Sequence, residues 1–212
     1  GIALGILGSV VALMVQASGT SQEGLIDATL TTLSETRYGR LWLVRVALFL
    51  TLGLVLSAAA WWWPRRRRWA ITGGLLLSGA LPLPFSLLSH AAAQTAGRTA
   101  AIAFDLVHLL AASLWVGGLF VLAGGMLPTL GDLTPFGRRL VLSRAIPRFS
   151  ALAVTAWGAL VITGAYAAWL QVGNWTALRE TAYGQSLMVK LLLLIPLLLL
   201  GGFNLAVVRR RL

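Results

Sequence analysis

Apolar residues in this chain come in long unbroken runs, and polar residues gather in short segments between them. Six runs are visible, over residues 1–17, 41–63, 69–89, 102–127, 150–170 and 185–208. Strict alternation would mark the strands of a barrel. Continuous runs mark helices crossing a bilayer, whose apolar core of roughly 30 Å needs about 20 residues per helix. Lipid offers no hydrogen bonds, so each backbone segment must satisfy itself internally. The pattern predicts an all-α integral membrane protein, a polytopic bundle with six visible transmembrane helices in a single domain over 1–212.

The segments between the runs add detail. In residues 18–40, Ile26, Leu30 and Leu33 recur at helical spacing, which predicts a short helix lying at the membrane interface. Pro82 and Pro84 fall inside the third run, where a kink or broken turn is expected. A short link, His90 to Ala101, joins the third and fourth runs, and residues 171–184 form a polar turn before the sixth. The chain opens at Gly1 inside an apolar run, as a fragment of a longer membrane protein would, rather than as a cleaved signal peptide.

Composition agrees, with 58% hydrophobic and 11% charged residues, against about a quarter charged in soluble domains. The net charge of +11 would suit nucleic acid, but its placement points to topology instead. Arg65–Arg68 follow Trp61–Trp63 and Pro64; Arg138, Arg139, Arg144 and Arg148 fill one connection, and Arg209–Arg211 end the last run. Only Arg37, Arg40, Arg98 and Arg179 lie on the opposite side. The positive-inside rule then puts the N- and C-terminal ends in the cytoplasm and segments 18–40, 90–101 and 171–184 outside.

One heptapeptide occurs twice. Leu33-Ser-Glu35-Thr-Arg-Tyr-Gly39 returns as Leu178-Arg-Glu180-Thr-Ala-Tyr-Gly184, and the same offset leads to a basic residue inside each following run, Arg45 and Lys190. Each copy follows an in-to-out span and opens an out-to-in one, so a parallel repeat of a helix pair is expected. Arg45 and Lys190 either snorkel to the outer headgroups or pair with Glu35, Glu180 or Asp105.

Candidate chemistry is confined to few residues. Cysteine is absent, which leaves imidazole, carboxylate and thioether as metal donors. Both histidines, His90 and His108, fall between Ser89 and Gly118 together with Asp105. Asp105 and His108 are three residues apart, hence on one helical face, where the carboxylate can orient the imidazole or ligate beside it. If its helix starts at Ile102, His108 lies roughly 9 Å below that start, and both imidazoles can approach one outer vestibule. The plainer alternative is that His108 only hydrogen-bonds within the bundle and His90 is an ordinary loop residue. Met14, Met126 and Met188 show no paired spacing and read as packing, and Gly117-Gly118 as a close-packing surface. No nucleophile–base pair, phosphate loop or carboxylate pair is present, so no enzyme is expected.

The segment Asp105-Leu-Val-His108-Leu-Leu-Ala-Ala-Ser-Leu-Trp115-Val-Gly117-Gly118 resembles the signature of CopD-type copper resistance membrane proteins. So do Arg148-Phe149-Ser150 with Leu160-Val-Ile-Thr-Gly164, and the tail from Thr181 through Tyr183-Gly184 and Lys190 to Asn204. Tyr38-Gly-Arg-Leu-Trp-Leu-Val-Arg45 and Ser89-His90-Ala91 look like the earlier half of longer members. The resemblance implies a CopD-like domain of the bacterial inner membrane that moves copper, usually described as uptake, and that works with a separate or fused periplasmic CopC-like carrier. It also implies His90 and His108 as copper ligands; Asp105, by its spacing from His108, and Arg45, Lys190, Glu35 and Glu180, by the repeat, are the candidate supporting residues. Two further readings use the same residues: a b-type cytochrome with both imidazoles on haem iron, and a non-transporting scaffold that docks a periplasmic copper carrier.

Overall fold

Helices are the only regular elements among the described residues, as unbroken apolar runs in lipid require. The computed structural model describes residues 1–19, 24–61, 67–172 and 174–203. They fall into two units, Gly1–Ile102 and Ala103–Leu212.

The first unit opens with α1 (Ile2–Ser18), α2 (Leu25–Glu35) and α3 (Arg37–Trp61). On α1, Gly5 and Ser9 are spaced four apart, the small-residue ridge that lets membrane helices approach. A Cβ at Gly5 would overlap the Phe49 ring of α3, and Trp42 Nε1 donates to the Ser9 carbonyl at 2.6 Å. Buried Ser9, Leu13 and Ala17 continue that face along α1. Helix α2 buries small Ala28 and Thr32, and leaves Ile26 (75%) and Leu30 (59%) exposed. Large apolar residues turned outward beside a polar face suit the expected interfacial helix.

Helix α4 (Arg67–Ala80) packs on α3, and the ladder breaks at Leu81 before α5 (Pro82–Leu88). Pro82 has no N–H to donate into the ladder, so the break falls where the sequence places it. The open end of α5 is satisfied from two sides. Arg37 Nη2 donates to the Leu87 carbonyl at 3.1 Å, and Ser89 donates to the Ser86 carbonyl through its N–H at 3.2 Å and its Oγ at 2.9 Å. A single 3₁₀ turn, His90–Ala93, follows, capped by Ser89, whose Oγ accepts from the Ala91 N–H. Gly97, at φ +67°, takes the left-handed conformation that L side chains avoid and feeds the chain into α6 (Arg98–Phe120).

In the second unit α6 passes into a π-turn (Val121–Met126), the one-turn α7 (Leu127–Thr129) and a 3₁₀ turn (Leu130–Asp132). Helix α8 (Pro135–Val172) follows, then α9 (Trp175–Glu180) and α10 (Ala182–Phe203). Along α6 and α8 three contacts repeat in antiparallel register. Phe104 stacks on Tyr166 with ring centroids 4.2 Å apart, His108 meets Thr163, and Phe149 covers Gly118 so closely that a Cβ there would overlap its ring. Gly118 is thus the close-packing glycine, whereas Gly117 has open space where its Cβ would be.

The spans differ from expectation in two places. Five stretches are long and apolar enough to cross a membrane: Arg37–Trp61, Arg68–Leu88, Arg98–Asp132, Pro135–Val172 and Ala182–Leu199. The first run makes a helix of 17 residues, Ile2–Ser18, at the lower limit of a crossing length. The basic connection before the fifth run is mostly helical, because Pro135 suits a first helical position and the Thr134 hydroxyl accepts from the Gly137 N–H. Helix α8 is therefore 38 residues long. Trp62–Arg66 and the arginines Arg209–Arg211, on which the orientation leans, lie outside the described residues.

The heptapeptide repeat builds the same corner twice. Helices α2 and α9 end at Thr36 and Thr181, both extended (φ −97°, ψ 154° and φ −89°, ψ 146°). Each threonine hydroxyl donates backward, to the Thr32 and Ala177 carbonyls, and accepts from an N–H ahead, that of Gly39 and Gly184, at 3.0 Å. Each glycine then lies flat against the preceding helix, and a Cβ would overlap the Thr32 and Leu33 backbone or the Ala177 and Leu178 backbone.

Candidate functional site

His108 lies on α6 and is half-buried. Since α6 begins at Arg98 rather than Ile102, His108 is about 15 Å along the axis from the helix start, deeper than the roughly 9 Å expected. Its Nδ1 is 2.8 Å from Thr163 Oγ1, while Nε2 makes no hydrogen bond among the described residues. Thr163, 4% exposed, donates its own proton to the Ala159 carbonyl at 2.6 Å. The plain alternative for His108 is thus half realised, with one ring nitrogen used inside the bundle and the other not.

Asp105, one turn earlier on α6, keeps Oδ2 buried and without a hydrogen-bond partner. Orphaned buried carboxylate oxygens are rare, because the desolvation of the group is not repaid. Asp105 and Lys190 both lie within electrostatic reach of His108, and Asp105 also of Tyr183. Asp105, His108 and Lys190, singled out in the sequence, are thus brought together in one unit; Glu180 is exposed at the end of α9. An imidazole nitrogen and a carboxylate oxygen, both uncommitted and one turn apart on α6, are donor types that a borderline cation such as copper or zinc accepts. Among the described residues no group of three His, Cys, Asp or Glu side chains forms a metal site by itself.

The other candidates belong to the first unit. His90 opens the 3₁₀ turn after α5 with an exposed imidazole. Glu35 is exposed at the end of α2. Arg45, its repeat counterpart Lys190 being exposed, is 4% exposed, stacks over the Phe85 ring at 4.0 Å, and has Tyr38 beside it. Its Nε has no hydrogen-bond partner. An arginine so enclosed does not snorkel.

Two residues escaped the sequence reading. Thr163 and Tyr183 both fall inside stretches that carried the family resemblance, but nothing local marks a helical threonine 55 residues from a histidine as its partner.

Apolar helices long enough to cross a bilayer, with ionisable groups set inside them, define a multi-pass helical membrane protein. Comparison with known proteins narrows the class. Residues 143–212 match the family described as CopD, Copper resistance protein D. The chain is also 31% identical over 180 residues, 85% of its length, to Copper transport protein CutJ of Bacillus subtilis (strain 168). It spans about a third of that relative, 32% of its length. No solved structure matches. The two matches support a CopD-type family for this chain, as its motifs imply.

Proposed function

We propose that this chain is the membrane-embedded part of a protein that moves copper inward across the bacterial inner membrane. Copper arrives at the outer side from a periplasmic CopC-like carrier, is held by His108, with His90 as the further candidate ligand, and passes into the bundle. The reading rests on one observation above others, the pairing of an unengaged His108 Nε2 with an orphaned Asp105 oxygen one turn away. The copper named in the family and in the Bacillus relative supports the choice of cargo. Six spans with cytoplasmic ends, and a duplication relating α1–α3 to α8–α10, complete the reading. The twin threonine–glycine corners support that duplication. A cuprous ion is satisfied by two imidazoles; a cupric ion needs Asp105 or water as well.

Metal analysis and an absorption spectrum of the purified protein test the proposal. Wild type should carry stoichiometric copper and no Soret band, and His108→Ala and His90→Ala should each lose most of the metal. A Soret band lost in His108→Ala would make the chain a b-type cytochrome. Unchanged copper in both variants, with partner binding intact and no copper flux, would leave the scaffold reading instead.

A further inference from the structure

We propose that Thr163 is the positioning residue of this site: it holds His108 in the Nδ1–H tautomer and so presents the Nε2 lone pair to copper. The inference rests on the copper reading for its consequence, but not for its geometry.

A threonine hydroxyl has one proton and two lone pairs. Thr163 gives its proton back along α8, to the Ala159 carbonyl at 2.6 Å, with the Leu160 carbonyl a more distant second acceptor at 3.3 Å. A lone pair is what it turns toward His108 Nδ1 at 2.8 Å, so the hydrogen in that bond must come from the ring. A neutral imidazole with its proton on Nδ1 has its only lone pair on Nε2. Which nitrogen ligates a metal is set by the bond the other makes, and outer partners of this kind are worth 10–100-fold in affinity.

The surroundings hold the arrangement in place. Thr163 is buried, so water does not compete for its lone pair. Gly164 follows it, and a Cβ there would come within 3.6 Å of His108 Cε1, the ring carbon between the two nitrogens. That is ordinary van der Waals distance, so the ring edge lies directly against α8 beside Thr163. One turn away the Phe104–Tyr166 stack fixes the register of α6 on α8.

The partner's chemistry matters for a cargo site. A carboxylate behind the ring would raise the basicity of the ligating nitrogen and tighten binding. A neutral hydroxyl orients the ring with less of that gain. Orientation without strong retention is what a site that must release its ion requires.

Nitrogen NMR on the metal-free chain with ¹⁵N-labelled histidine reads the tautomer directly. The chain has two histidines, and His90→Gln assigns the second signal. Wild type should show Nδ1 protonated and Nε2 bare. Thr163→Val, close in shape but without the acceptor, should lose that preference and bind copper about tenfold more weakly against a competing chelator. Thr163→Ser should restore both. A wild-type spectrum with Nε2 protonated overturns the proposal, even if Thr163→Val fails to fold. So does a Thr163→Val chain with unchanged tautomer and affinity. If instead His108→Ala holds copper like wild type, the transport reading fails, while the metal-free spectrum still decides the role of Thr163.

Discussion

Arg45 shows how a single residue can be costly to the fold that holds it. Its guanidinium is buried over Phe85 with Nε unpaired, inside a helix long enough to cross a membrane. A charge removed from water and not fully hydrogen-bonded is a net cost, and apolar replacement of buried ionic groups is often neutral or stabilising by about 1–4 kcal/mol. Arg45→Met should therefore leave the thermal stability in detergent equal to wild type or higher. Phe85→Leu, which strips the cover but keeps the charge, should lower it by about 0.5–2 kcal/mol. A strongly destabilised Arg45→Met would show that the guanidinium is a structural keystone. The basic character of position 45 was legible in the sequence, but its surroundings were not. Snorkelling and pairing with a carboxylate both looked open, and enclosure by Phe85, 40 residues on, depends on how α5 folds back against α3.

Elements were the most legible scale, for a physical reason. In lipid the hydrogen-bond requirement leaves one secondary structure for a continuous apolar run, so helix existence follows from composition. The break at Leu81 follows from Pro82, and the short helix α2 from the spacing of Ile26, Leu30 and Leu33. Helix ends outside the apolar core are set by capping instead, and there α6 and α8 started earlier than hydropathy alone implied. The heptapeptide repeat gave the positions of the twin corners but not their mechanism, a threonine bonded both ways and a glycine pressed on the previous helix. That mechanism makes a prediction. Gly39→Ala and Gly184→Ala should each destabilise by about 1–3 kcal/mol, since the added methyl meets backbone that cannot yield. Gly117→Ala, with open space around it, should be neutral or slightly stabilising. Equal melting temperatures for all three variants would refute the account of the corners.

For the whole molecule the decisive quantity is the side on which each connection lies. Helix α8, at 38 residues, is about 57 Å long, far more than the roughly 30 Å an apolar core occupies. Its excess lies at the Arg138–Arg148 end, and arginines next to a span are what the positive-inside rule counts. On the other side, Arg37 is occupied by the Leu87 carbonyl. The chain has no cysteine, so single substitutions report position without a background. In intact cells a membrane-impermeant maleimide should label Thr95→Cys and Thr176→Cys, in the His90 link and α9, and should reach Asp132→Cys, just before α8, only after permeabilisation. The proposed inward route requires the His90 link to lie on the outer side. The reverse labelling pattern would put His90 on the cytoplasmic face and turn a receiving site into a releasing one. Inward transport through these histidines would then be untenable, even if the metal content of every variant came out as expected.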